Sequence, residues 1–177
     1  MQPEADTTLR VATRPLRLPL KQLPPPEQLE TEFADYNDRL NQLRATGGPD
    51  ADILELTMLA KRAGMRADLA RRSQGQTSRT FELQIMTIGN SIALVALPGE
   101  PFVEIGMAIK RGSSFPNTLF SGYSNVGWAY IPIPDACPLG GYEVEITPFS
   151  PDAAGQIVDE SLSLLRELAK ASEVASC

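Results

Sequence analysis

The sequence predicts a mixed α/β fold, a layered mixed sheet with flanking helices, on three observations. Apolar residues alternate with polar ones near the N-terminus and again from Phe81. Three other stretches, around 27–44, 50–72 and 150–171, place them at helical spacing. Residues 112–149 combine glycine, proline, serine and aromatics with weak periodicity, as short strands joined by structured loops do.

From Thr7 to Leu20, the residues Leu9, Val11, Leu16, Leu18 and Leu20 are interleaved with Arg10, Arg14 and Arg17, a strand pattern. Pro15 and Pro19 each remove a ladder donor, so an edge strand or an extended arm is expected. Leu23-Pro24-Pro25-Pro26 stops it. Leu29, Phe33, Tyr36, Leu40 and Leu43 then lie 4, 3, 4 and 3 positions apart, one apolar stripe of a helix over Glu27–Arg44. Gly47-Gly48-Pro49 breaks that helix, and Asp50 stands where a carboxylate favours a helix start. A second helix runs to about Arg72 with Ile53, Leu56, Ala60, Ala63, Ala67 and Ala70 along one side, giving an antiparallel pair. Lys61, Arg62, Arg66, Arg71 and Arg72 read as its solvated face, because no aromatic residue is interleaved for stacking.

After Gln74-Gly75-Gln76, Phe81, Leu83 and Ile85 alternate with Glu82, Gln84 and Met86 as in a half-buried strand. Gly89-Asn90 is a tight hairpin turn, and Ser91–Leu97 a more deeply buried strand. Pro98-Gly99-Glu100-Pro101 ends it. A helix over Phe102–Arg111 follows, partly periodic in Phe102, Ile105, Met107 and Ile109, with Pro101 in its first turn. Short strands are expected at Thr118–Gly122, Tyr130–Ile133 and Tyr142–Thr147. Ser150-Pro151-Asp152 combines a capping hydroxyl, a proline and an early carboxylate, and Ile157, Leu162, Leu165 and Leu168 line one face of a closing helix to about Ala171. The 177 residues read as one domain, with the arm and helix pair in 1–74 and an α/β segment in 75–177.

Sixteen basic against twenty-two acidic side chains give a net charge of −6, which disfavours a nucleic-acid binder. The chain has no histidine. Ser-His-Asp and Cys-His catalysis and histidine-held zinc are therefore excluded within it. Cys137 and Cys177 lie 40 positions apart, form no CxxC pair, and leave both a disulfide and the compartment open. The longest apolar run, Ile92–Leu97, is too short to span a bilayer. The opening MQPEADTTLR shows no basic-then-apolar signal, so a soluble chain or soluble fragment is expected.

Two places carry candidate chemistry. Glu100 follows a buried strand and a glycine turn at the start of a helix, where ligand crevices form and a carboxylate serves as metal ligand or base; it also reads as a plain helix-start carboxylate. The segment from Tyr123 to Glu143 concentrates tyrosine, Trp128, glycine and asparagine without regular periodicity, either a binding loop or a loop packed by its own aromatics. Its polar members are Asn125, the candidate substrate-binding residue, with Tyr130, Tyr142 and Glu143. Asp135 reads as a turn residue. Ser113-Ser114 lacks a base partner. No phosphate loop, dinucleotide fingerprint or EF-hand is present.

Taken in order, Leu97-Pro98-Gly99-Glu100-Pro101-Phe102, then Tyr130-Ile131-Pro132, then Gly141-Tyr142-Glu143 form a set whose two tyrosines lie twelve positions apart. The set resembles the neutral ceramidase family, the neutral or alkaline non-lysosomal ceramidases and their bacterial relatives, over about residues 80–170. The resemblance implies a partial ceramidase-like catalytic domain and a zinc-dependent amidase cleaving the N-acyl bond of ceramide or a related lipid amide. In that family two histidines, a glutamate and a tyrosine hold the zinc; the resemblance makes Glu100 and Tyr130 metal ligands. It makes Tyr142 catalytic, helping to hold the amide carbonyl as it becomes an oxyanion. A zinc ion polarises such a carbonyl and lowers the pKa of bound water, and a phenol aimed at the developing charge stabilises the transition state.

The chain departs from the family where it lacks both histidine ligands and the discussed serine nucleophile, which lie earlier in the family's longer domain. Ile133 stands where the family carries threonine, and Cys137 near a position often aromatic. Two oxygen ligands make a poor zinc site. The expectation is the C-terminal part of such a domain, as a truncation, a fragment or half of a split enzyme. It would bind no zinc alone and be inactive alone. Its implied partners are a lipid amide in the parent enzyme and an N-terminal half or a second copy, since unpaired edges and apolar faces favour association. No nucleic acid and no transmembrane segment are expected. Family members are often exported, but the compartment stays open. Two alternatives remain: a non-catalytic binding or assembly module with Glu100 and Tyr130 as relics, and an unrelated α/β domain whose Tyr/Trp loop is core.

Overall fold

The computed structural model describes residues 7–125 and 129–175. Strand β1 (Leu9–Pro19) leads to helices α1 (Pro26–Ala45) and α2 (Asp50–Ser73), followed by the hairpin β2 (Ser78–Ile88) and β3 (Ile92–Ala96). Then come β4 (Glu100–Pro101), α3 (Val103–Gly112), β5 (Asn117–Ser121) and β6 (Tyr130–Ile131). A 3-10 turn (Pro134–Leu139), α4 (Tyr142–Ile146) and the closing α5 (Asp152–Ala175) complete the order. The mixed α/β class is thus realised. One sheet has the order β1-β2-β3-β5, antiparallel except for the parallel β3–β5 pair; β4 and β6 form a separate two-stranded parallel ladder. Among the described residues no helix is long and apolar enough to cross a membrane.

The sheet buries one face under α3 and α5, where Leu18, Leu83, Val95, Ile105, Ile157 and Leu165 meet. β1 takes the edge position, as its prolines require. Its apolar alternation changes phase between Val11 and Leu16, but the ladder from Leu9↔Ile88 to Pro19↔Ser78 runs without interruption. A pleat cannot follow both. Leu16 and Leu18 therefore point inward, whereas Leu9 and Val11 remain 64% and 54% exposed on the outer face with Ile88 and Leu119. Arg14 instead reaches α5, pairing with Glu160 at 3.1 Å and Glu167 at 2.6 Å.

Five sequence expectations need correction. The basic side of α2 is not simply solvated: Arg66 pairs with Glu32 at 2.9 Å and Arg71 with Glu30 at 2.6 Å, because α1 presents carboxylates along the seam. Pro101 lies in β4 rather than in a helical turn, since the ladder with β6 holds the backbone extended until Val103. Met107 is about half exposed, because the inward stripe of α3 is Ile105 and Ile109 at i, i+4 spacing. Tyr142–Thr147 is helical rather than a strand, closed by Glu145 N–H to Gly141 O (2.9 Å) and Thr147 N–H to Glu143 O (3.2 Å). Finally, the Ser150 hydroxyl is buried without a hydrogen-bond partner; its backbone carbonyl accepts from the Ala153 N–H instead.

Cys137 donates weakly to the Ile133 carbonyl at 3.6 Å. Cys177 and Trp128 lie outside the described residues.

Candidate functional site

The backbone from Leu97 to Phe102 is the scaffold of the site. It bonds to the end of β5 and the loop after it, through Leu97 N–H to Ser121 O (2.9 Å) and Tyr123 N–H to Gly99 O (2.8 Å). It also bonds to β6, through Glu100 N–H to Ala129 O (2.8 Å) and Phe102 N–H to Ile131 O (3.0 Å). The turn before Glu100 requires glycine. Gly99 has φ +83°, and a Cβ there would lie 2.7 Å from the Ala129 carbonyl oxygen. The parallel ladder then places Glu100 directly opposite Tyr130.

Glu100 and Tyr130 open onto a cleft of about 580 Å³, a usual size for a small-molecule site. Phe102, Met107 and Phe120 supply apolar wall, and Tyr123, Lys110 and Glu143 supply polar groups. Tyr123 and Tyr130 line the cleft together with Glu100. Hydrogen bonding to the Glu100 carboxylate pushes the Tyr123 phenol up to about 12 and raises that of Tyr130 as well. Both phenols stay protonated at neutral pH, because the bond to the anion favours the neutral donor.

Tyr142, at the start of α4, packs its ring edge-on to Tyr130 with centroids 6.0 Å apart. Arg62 lies 6.0 Å over the Tyr142 ring, and the Tyr142 hydroxyl rests 3.8 Å from the Met65 sulfur. Sulfur is a weak acceptor, so that hydroxyl is cheaply redirected to a ligand. The buried Thr147 hydroxyl donates to the Tyr130 carbonyl at 2.6 Å and accepts from the Phe149 N–H at 3.1 Å, tying Tyr130 to the core. Asn125 stands exposed at φ +66° and is not among the residues lining the cleft.

Lys21 fixes the far end of α4. Its Nζ donates to the carbonyls of Val144 and Glu145, both at 2.9 Å, as a C-terminal cap. Burial pulls its pKa down to about 8, reinforced by Arg66 and opposed by Cys137 and Glu145. The folded chain therefore sheds this proton before the unfolded chain does. The resulting stabilisation is complete above 10.5, the ordinary value, and is lost as pH falls through about 8. Between pH 8 and 10 the melting temperature of the parent chain should accordingly rise relative to that of Lys21→Met. Parallel pH profiles in circular-dichroism melts would contradict this.

Among the described residues no three His, Cys, Asp or Glu side chains gather closely enough to hold an ion. The residues of this chain do not by themselves fit a zinc ion.

Of the residues the sequence singles out, Glu100, Tyr130 and Glu143 line the cleft, Tyr142 packs against the Tyr130 ring without lining it, and Asn125 stands outside it. Sequence reasoning missed Tyr123, Thr147 and Lys21. Tyr123 sat inside a segment already singled out; the other two act through long-range bonds that no local pattern announces.

No family model and no curated protein matches the chain. Two solved structures are similar to it. One is a neutral ceramidase from Pseudomonas aeruginosa, at 18% identity and TM-score 0.46, with 89% of this chain and 29% of that one covered. The other is a ceramidase complexed with C2, at 25% identity and TM-score 0.42, with 50% of this chain and 15% of that one covered. The chain resembles ceramidases, and it spans less than a third of the length of either solved relative.

Proposed function

We propose that the cleft is the carbonyl-binding half of an amide-hydrolysing site for lipid N-acyl amides, completed by a polypeptide segment outside this chain. The observation that supports this most is the β4–β6 ladder, which sets Glu100 opposite Tyr130 with Tyr142 packed on it. These are the residues of the ordered sequence set. Tyr142 leaves its weak sulfur partner and donates to the amide oxygen, where a phenol stabilises the charge that develops as the carbonyl is attacked. Glu100, set opposite Tyr130 by the ladder, is the acceptor or ligand facing that centre. Phe102, Val103 and Met107 offer apolar surface beside it for a hydrocarbon chain. In this reading any metal and its histidines belong to the missing segment, and the chain alone hydrolyses nothing.

A second reading, a non-catalytic binding module, is favoured by the donor set, since no three His, Cys, Asp or Glu side chains gather among the described residues.

Both readings are tested by titrating a short-chain N-acyl sphingosine, and separately the deacylated sphingoid base, into isotopically labelled chain. Amide-specific NMR shifts at Glu100, Tyr130 and Tyr142 are expected. Equal shifts with the base, or none at these residues, would refute the amide site and leave the module reading.

A further inference from the structure

We infer that Arg62 of α2 is a positioning residue for Tyr142: one guanidinium bridges the Tyr142 ring and the Glu145 carboxylate, and so holds α4 and its phenol beside Tyr130. The inference rests on reading Tyr142 as the phenol that meets the amide carbonyl.

Helix α4 has little packing of its own to hold it. It is five residues long, and none of its side chains is buried. The chain enters it through Gly140 at φ +68° and Gly141 at φ +105°, where an added Cβ would meet nothing within 4 Å. Leu139, just before them, is 86% exposed. A short helix with no buried side chain, entered through two glycines in open space, takes its position from polar contacts with its neighbours.

Two cations on separate segments make such contacts. Lys21 holds the carbonyls of Val144 and Glu145 at one end. Arg62 holds the other. Its Cζ lies 6.0 Å from the centroid of the Tyr142 ring, and its Nη1 lies 3.7 Å from Glu145 Oε1. Tyr142 and Glu145 are three positions apart and share a helix face, so one planar guanidinium reaches both. Sequence analysis places Arg62 on the solvated face of α2; in the fold it turns to α4 instead. Its Nε is buried with no hydrogen-bond partner among the described residues, a cost that a solvated arginine would not carry. Without the guanidinium, Tyr142 depends on the edge-on contact with Tyr130, 6.0 Å between centroids, and on the Met65 sulfur 3.8 Å from its hydroxyl. Because Arg62 grips the ring and the helix rather than the hydroxyl, the hydroxyl stays free to turn to a ligand.

NMR of isotopically labelled chain tests the clamp. The parent chain should show a cross-peak between the Tyr130 and Tyr142 rings. Arg62→Gln, close in length but uncharged, should weaken it several-fold while the urea midpoint stays near the parent's, since α4 buries no side chain. Arg62→Lys, which returns a cation to the ring, should restore most of the cross-peak. A cross-peak unchanged in Arg62→Gln, or lost equally in both variants, overturns the inference. So does its loss together with a large fall in the urea midpoint, which would make Arg62 a plain structural contact. Short-chain N-acyl sphingosine supplies the second readout: Arg62→Gln should lose the ligand-induced shift at Tyr142 and keep that at Glu100. An undiminished Tyr142 shift overturns the inference. Absence of any shift in the parent chain refutes the amide site, and the ring cross-peak still decides whether Arg62 holds Tyr142.

Discussion

Alanine at position 99 is expected to destabilise the domain by roughly 2–5 kcal/mol and to separate Glu100 from Tyr130. The range combines a left-handed backbone imposed on an L-residue with the displacement needed to relieve a backbone collision. Gly99 sits at φ +83°, and its added Cβ would meet the Ala129 carbonyl oxygen at 2.7 Å. That atom is main chain and cannot rotate away. Relief must come from parting β4 and β6, which breaks the 2.8 Å bond from Glu100 N–H to Ala129 O. The measurement is a urea unfolding curve of Gly99→Ala beside a tyrosinate titration. A lowered midpoint together with loss of the late Tyr130 transition is expected. A parent-like midpoint would show that the turn does not need glycine.

Phe149→Ala is the second large effect, about 3–5 kcal/mol. The ring is 2% exposed and meets Phe81 edge-on with centroids 5.2 Å apart, a geometry that adds to simple burial. The residue also pairs with Leu20 as an isolated bridge, and its N–H is held by Thr147, whose hydroxyl reaches Tyr130. Loss of the ring should loosen the strand end carrying Lys21 and the support of Tyr130 together. By contrast Leu119→Ala, on the exposed outer sheet face, should stay within about 0.5 kcal/mol. Urea midpoints of the two variants check the contrast, and a small Phe149 effect would place the core elsewhere.

Much of the fold was legible because local pattern and tertiary context agree. The stripe from Leu29 to Leu43 and the alanine ladder of α2 each face a partner, so period alone located both helices. Gly89-Asn90 turned the hairpin where expected, and Pro15 and Pro19 sent β1 to the edge. Misreadings arose where long-range bonds override the local signal. The Tyr-Glu-Val-Glu-Ile alternation of 142–146 suits a strand, but Lys21, more than a hundred residues away, caps that segment as a helix. Pro101 suits a helix start, but β6 captures it as a strand. Leu9 and Val11 share a strand with Leu16 and Leu18 in the opposite phase, so no single alternation could place all four inside.

The candidate site divides in the same way. Glu100 and the Tyr130–Tyr142 pair carried a recognisable order and spacing. Tyr123 did not, because its place in the cleft depends on a left-handed backbone, φ +53°, that no propensity favours for tyrosine.

The most direct test of the account is a calorimetric zinc titration of the parent chain beside Glu100→Gln. A cleft that holds two carboxylates, those of Glu100 and Glu143, in a chain without histidine, predicts no site of micromolar affinity in either protein. One zinc bound per chain at micromolar affinity or tighter, and lost in Glu100→Gln, would contradict the half-site and show that this chain assembles a complete metal centre.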